Sequence, residues 1–279
     1  MHMVADELAK TFAANRAVGQ ISLRAAKIGE RTRCRELHER GSLRVRFPNA
    51  STDDLEAVLI NTAGGIAGGD RFAVEIMAEA GAAVVAGTAA AEKVYRSSGS
   101  PASLSIRLDV GSGARLAWLP QETILFDNGI IDRRIDIDLA ADASLVLVEG
   151  LVFGRSAMGE TVMNGTLIDR WRVRRNGRLV FAETTRLKGP IASRLSEPAV
   201  AGGCAAIATL LIAPDNEKYN ERCVEVVRAC GPFRGEAAIS AWNGLAVARL
   251  CARDGATLRH DLTTILAALN VPLPRLWLQ

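Results

Sequence analysis

A chain of 279 residues with 49% hydrophobic and 23% charged residues is long enough to bury a sizeable core and has the balance of a soluble, folded protein. Its formal net charge of +3 comes without any block of like charge, so no electrostatic footprint points to nucleic acid or to an anionic membrane. The longest weakly polar run, residues 78–91, is too short to span a bilayer, and the N-terminus lacks a basic segment followed by an apolar one, so a cytoplasmic location is expected.

The first fifteen residues fit a frayed helix as well as disorder, and residues 1–19 are expected to form a flexible lead-in. Residues 20–27 begin to alternate and suggest a first strand. A charged stretch, 30–39, follows. Then Leu43, Val45 and Phe47 share one face of a short strand that Pro48 ends.

Residues 56–60 lead into NTAGGIAGGD (61–70), and residues 71–76 leave it with period two, placing Phe72, Val74 and Ile76 inward. The glycine loop therefore joins two strands. Gly64, Gly65, Gly68 and Gly69 describe a tight, shaped turn that presents Asp70. Residues 82–90 are small enough to pack closely against another layer.

From Ser103 the pattern predicts a β-meander: Leu104, Ile106, Leu108 and Val110 alternate with polar residues, Gly111-Ser112-Gly113 turns the chain, and residues 115–119 return. Ile135, Ile137 and Leu139 alternate with Arg134, Asp136 and Asp138. Residues 145–148 are apolar on both faces and predict a doubly covered strand. Asn176-Gly177 predicts a hairpin whose two-residue turn sets Val173 opposite Val180, Trp171 opposite Ala182, Arg172 opposite Phe181 and Arg170 opposite Glu183.

Past Pro214 the pattern changes. Residues 217–230 have helical spacing, with Tyr219, Cys223, Val226, Val227 and Cys230 on one side, and Gly231-Pro232 stops them. A second Asn-Gly turn at Asn243-Gly244 predicts another hairpin, and residues 256–270 form a helix with Leu258, Leu262, Ile265, Leu266 and Leu269 in one stripe. The expectation is a mainly β fold: one domain over 20–279, with a layered multi-strand β body over 20–213 and a helix–hairpin–helix end over 214–279.

The chemistry on offer is narrow. The spacing GGxxGG departs from both the Walker and the dinucleotide patterns, no lysine follows, and Asp70 would repel a phosphate. Cys34, Cys204, Cys223, Cys230 and Cys251 include no CxxC pair, and His2, His38 and His260 are the only histidines. Cys223 and Cys230 lie on one helix face, as small packing residues or as a metal pair. Arg155, in the compact loop 154–160, either binds a carboxylate or caps backbone carbonyls. Glu122, Glu149, Glu160 and Glu183 lie beside polar or glycine residues, as solvated acids or as acid–base groups. There is no GxSxG elbow, HExxH pair or EF-hand loop.

Five segments in order, NTAGGIAGGDRF (61–72), TAAAEKVYRS (88–97), LPQETILF (119–126), EGLVFGRSAMGE (149–160) and LPRLW (273–277), resemble the urease accessory protein UreD family, called UreH in some organisms. The resemblance runs over most of the chain from about residue 20. It implies a non-enzymatic metallochaperone scaffold that binds UreF, and through it the GTPase UreG, on the urease apoprotein. Nickel would pass in transit through an internal tunnel, with no tightly bound cofactor. A conduit of hard carboxylate ligands releases divalent ions more readily than imidazole or thiolate does. Asp70 is expected on such a path, with Glu122 and Glu183 as further candidates. Two other readings stay open: a β-rich carbohydrate-active hydrolase using loop carboxylates, and a purely structural β scaffold.

Overall fold

In the computed structural model, residues 16–48, 52–155, 158–216 and 218–277 are described. The helix or disorder expected for the first fifteen residues lies outside them. The period-two segments become strands in two sheets. The first sheet holds β1 (Val18–Ile28), β2 (Arg31–Gly41), β5 (Arg71–Ala78), β8 (Ala102–Val110), β11 (Ile130–Leu139), β13 (Gly165–Arg175) and β14 (Arg178–Gly189), in the order β14-β13-β11-β8-β5-β1-β2. The second holds β3 (Leu43–Arg46), β4 (Leu55–Asn61), β6 (Ala83–Thr88), β9 (Arg115–Trp118), β12 (Ser144–Phe153), β15 (Ala206–Ala213), β16 (Glu236–Trp242) and β17 (Leu245–Ala252), in the order β16-β17-β15-β12-β9-β6-β4-β3, with β10 (Thr123–Leu125) beside β12 and β7 (Glu92–Val94) beside β10. The fold is mainly β, as the alternation requires.

From β4 to β13 the chain coils. Each main strand crosses to the opposite sheet, and each pairs in parallel with its predecessor in the same sheet: β5 with β8, β8 with β11, β11 with β13, and β4 with β6, β6 with β9, β9 with β12. The predicted meander from Ser103 is therefore corrected. Strands β8 and β9 never pair, because Gly111-Ser112-Gly113 carries the chain across the layer of about 10 Å between sheets rather than back along its own sheet. The glycine loop makes the same kind of crossing, from β4 to β5.

The layer between the sheets is the main core, with Ile21, Leu23, Ile76, Leu108, Ile135 and Leu147 fully enclosed. Alternate residues of the second sheet face away, so Val148 and Val152 of β12 pack instead with Leu258, Leu262, Ile265 and Leu266 of a helical layer. Strand β12 is thus covered on both faces, as its apolar run predicts. That outer layer consists of α2 (Lys218–Ala229) and α3 (Gly255–Ala268), while a short α1 (Ile191–Ser196) follows β14. The predicted helix–hairpin–helix end forms. Its hairpin β16–β17 joins the second sheet by pairing with β15, and its helices cover that sheet. Cys223 and Cys230 are half-buried there among apolar neighbours.

Two local expectations change. The charged stretch at 30–39 is a full edge strand, β2, pairing with β1, invisible to a search for apolar alternation. The β13–β14 hairpin starts with the predicted turn, Asn176 and Gly177 both at positive φ (50° and 76°), and pairs Arg175 with Arg178 and Arg174 with Leu179. The register then shifts, so that Val173 faces Phe181, Arg172 faces Ala182, Trp171 faces Glu183 and Arg170 faces Thr184. A β-bulge absorbs one residue of β14 and turns the remaining pairings by one.

Candidate functional site

Alternation along β11 puts Ile131, Arg133, Ile135 and Ile137 into the inter-sheet layer, so one guanidinium enters an otherwise apolar row. In-register pairing sets Arg133 beside Asp169 of β13, and Glu149 of β12 reaches the same point from the second sheet. All three are at most 4% exposed, which makes their pairing obligatory. Arg133 Nε donates to Asp169 Oδ1 at 3.0 Å and Nη2 to Asp169 Oδ2 at 2.7 Å, a bidentate fork. Its Nη1 donates to Glu149 Oε2 and, at 3.4 Å, to Thr123 Oγ1. Two indoles complete the set: Trp118 Nε1 donates to Glu149 Oε1 at 2.9 Å and Trp171 Nε1 to Asp169 Oδ2 at 3.0 Å.

Burial works against the Arg133 charge, but Asp169 and Glu149 outweigh it and raise its pKa above the ordinary value. Burial also pushes the Glu149 carboxyl up, only partly countered by Arg133.

Two cavities are lined by members of the trio, and both share Arg133 and Glu149. The larger, about 430 Å³, is lined by Arg133, Glu149 and Asp169 and further out by Glu183, Arg249 and Glu236. The smaller, about 50 Å³, is lined by Arg133, Glu149, Thr123 and, beyond them, Glu92 and Asn61. Burial raises the pKa of Glu92, whose Oε2 accepts from Asn61 Nδ2 at 3.1 Å. Asn61 Nδ2 also donates to Gly65 O at 2.9 Å, which ties the glycine loop to this end. At two of its four glycines the loop is packed too tightly for a side chain. A Cβ on Gly65 would stand 2.4 Å from the Tyr95 ring, and one on Gly68 would stand 2.1 Å from Ser97 Oγ and 2.6 Å from Ser100 O.

Of the residues expected on a metal path, one lines a cavity. Glu183 stands at the larger cavity, where Arg249 Nη1 and Nη2 donate to its two oxygens. Arg249 thus replaces the predicted partner Arg170, which pairs with Asp132 because the bulge has moved it. Asp70 is buried and lines neither cavity. Its Oδ1 accepts from Ala17 N–H at 2.9 Å and its Oδ2 from Ala67 N–H at 2.7 Å. Glu122 also lies outside them and pairs with Arg259 of α3. Arg155 does bind a carboxylate, that of Glu160 in its own loop, with Nε to Oε2 at 2.8 Å, and its guanidinium sits 4.4 Å from the Phe126 ring centre.

The sequence reading passed over Arg133 and Asp169. Their signal was an ionised residue at an inward position of a strand, Arg133 between Ile131 and Ile135 and Asp169 between Leu167 and Trp171. Among the described residues no three His, Cys, Asp or Glu side chains gather into a metal-holding cluster, and no helix is long and apolar enough to cross a membrane. The acids of the inter-sheet layer are strung out instead: Glu183, Asp169, Glu149, Glu92.

The family described as UreD urease accessory protein matches residues 17–278. The chain is 57% identical to Urease accessory protein UreD 3 of a Bradyrhizobium species over 275 residues, 98% of each chain. It is 55% identical to Urease accessory protein UreD of Rhodopseudomonas palustris over 267 residues, 96% of this chain and 92% of the relative.

Proposed function

The chain belongs to the UreD family of urease accessory proteins, and on that premise we propose that it is a cytoplasmic, non-enzymatic chaperone which works with UreF and, through UreF, with the GTPase UreG to deliver nickel to apo-urease. Nickel is cargo in transit rather than a resident cofactor. The observation that supports a route through the chain is the series Glu183, Asp169, Glu149 and Glu92 along two cavities that share Arg133 and Glu149. Single carboxylates spaced along a wall offer a divalent ion hard oxygen ligands without the closed set that would retain it. Asp70 and Glu122 serve the route indirectly, by holding the glycine loop and the segment before β10 in place.

Two measurements test this reading. Co-expression with UreF should give a complex that purifies together, and failure to associate would remove the scaffold role. Urease activation in cells carrying Glu183→Gln should fall several-fold while UreF still co-purifies, because the substitution keeps the shape of the side chain and removes its charge. Wild-type activation by that variant would remove Glu183 from the route.

A further inference from the structure

The wall that the two cavities share carries a positive charge, since Arg133 and Glu149 line both. The Arg133 guanidinium borders both cavities, and both oxygens of Asp169 and one of Glu149 accept hydrogen bonds from it. We propose that Arg133 is the resident counterion of a cation position formed by Glu149 and Asp169, and that a divalent metal ion crosses between the cavities by exchanging with its guanidinium. This rests on the nickel route proposed above and names the step that controls it.

Charge favours a divalent ion. One guanidinium set against the charges of two carboxylates leaves the trio one positive charge short of balance, in surroundings that screen charge poorly. A divalent ion in the guanidinium's place restores neutrality, whereas a monovalent ion leaves the deficit unchanged. The displaced guanidinium stays tethered to β11, with the larger cavity beside it to receive the side chain. Its positive charge then weighs against long residence of the metal, and its return to Asp169 and Glu149 sends the ion on.

The ligands are held ready for the exchange. Trp118 fixes Glu149 through Oε1 and Trp171 fixes Asp169 through Oδ2, while Glu149 Oε2 and Asp169 Oδ1 have Arg133 as their hydrogen-bond partner. Moving the guanidinium frees one oxygen on each carboxylate without releasing either side chain. This is a weak two-carboxylate position, suited to passage.

Equilibrium dialysis of the full-length chain against nickel(II) tests the exchange, comparing wild type with Arg133→Met. With the resident cation gone, the variant should hold about one more nickel ion per chain and bind it about tenfold more tightly than wild type. Nickel should raise the melting temperature of the variant and leave that of wild type unchanged, and adding Glu149→Gln should abolish the extra binding. A folded Arg133→Met chain that holds no more nickel than wild type overturns the proposal. Should that variant fail to fold, Arg133→Lys decides: a point charge cannot grip both carboxylates as the fork does, so nickel retention should rise about threefold, and retention equal to wild type overturns the proposal. The route and the exchange fail separately. A variant that traps nickel yet supports wild-type urease activation removes the route and leaves the exchange position standing, whereas lost activation without extra nickel removes the exchange.

Discussion

At the scale of single residues, a carboxylate's role follows from which donors reach it. Both oxygens of Asp70 are taken by backbone amides, that of Ala17 just before β1 and that of Ala67 within the glycine loop. Its own carbonyl accepts from Ser103 N–H at 2.9 Å, so one residue ties the start of β1, the loop and the start of β8. Asp70→Ala would leave two partly buried amides unpaired, at roughly 1–2 kcal/mol each, for an expected loss of about 2–4 kcal/mol in urea unfolding at neutral pH. A loss below 0.5 kcal/mol, roughly the scatter for an ordinary surface substitution, would show that water replaces the carboxylate without cost. The sequence made it legible that a carboxylate follows the glycines, but its donors were hidden because Ala17 lies fifty-three positions away. Arg133 was hidden differently. Its inward position could be counted from Ile135 and Ile137, yet an arginine at such a position gives no sign of which acids will meet it.

At the scale of elements, alternation and turn residues carry different kinds of information. Period two states which face of a strand is covered, and this holds for β5, β8 and β11; in β3 Leu43 and Val45 are buried as expected, but Phe47 lies past the end of the strand and is exposed. The period does not state the neighbour, which is why β8 and β9 looked like a meander although they lie in different sheets. Asn176-Gly177 located a hairpin tip, while the bulge beyond it was silent because extra length in one strand leaves no compositional mark. Helix α3 is the most legible element, since its apolar stripe and its cap both lie in local sequence. Asp254 precedes it, and its Oδ1 accepts from Thr257 N–H at 2.7 Å. That amide, with the Thr257 side chain, holds the Asp254 pKa below the usual carboxylate value. A lowered folded-state pKa stabilises the fold above the unfolded value of about 3.9, and the contribution is lost as pH falls through the folded value. Asp254→Ala should therefore cost about 1 kcal/mol at pH 7 in thermal or urea unfolding. The gap between variant and wild type should narrow as pH drops below about 4. A gap that persisted unchanged into acid would mean that the cap acts through shape alone.

At the scale of the whole molecule, three layers are stacked, and the inter-sheet cavities depend on the outermost one. Strand β10 carries Thr123, which touches Arg133, and is only three residues long, so it needs support from outside. That support comes from the C-terminal segment: Arg259 of α3 donates to Gln121 and Glu122, Gln121 Nε2 donates to Leu276 O at 3.2 Å, and Trp277 Nε1 donates to Leu119 O at 2.9 Å. The segments LPQETILF and LPRLW, read separately in the sequence, are thus two sides of one contact across more than 150 positions, a pairing that no local pattern encodes. The side chains of Arg259 and Glu122 are 25% and 11% exposed, sheltered enough for their interaction to exceed that of a surface pair. A double-mutant cycle with Arg259→Met and Glu122→Gln, read by urea unfolding, should give a coupling of about 1–3 kcal/mol. Each single variant should also lose stability, since each strands one partner of a sheltered pair, and the double variant should recover part of that loss. A coupling near zero would mean that the helical layer lies against β10 without holding it, and the support for Thr123 would then have to come from β7 and β12 alone.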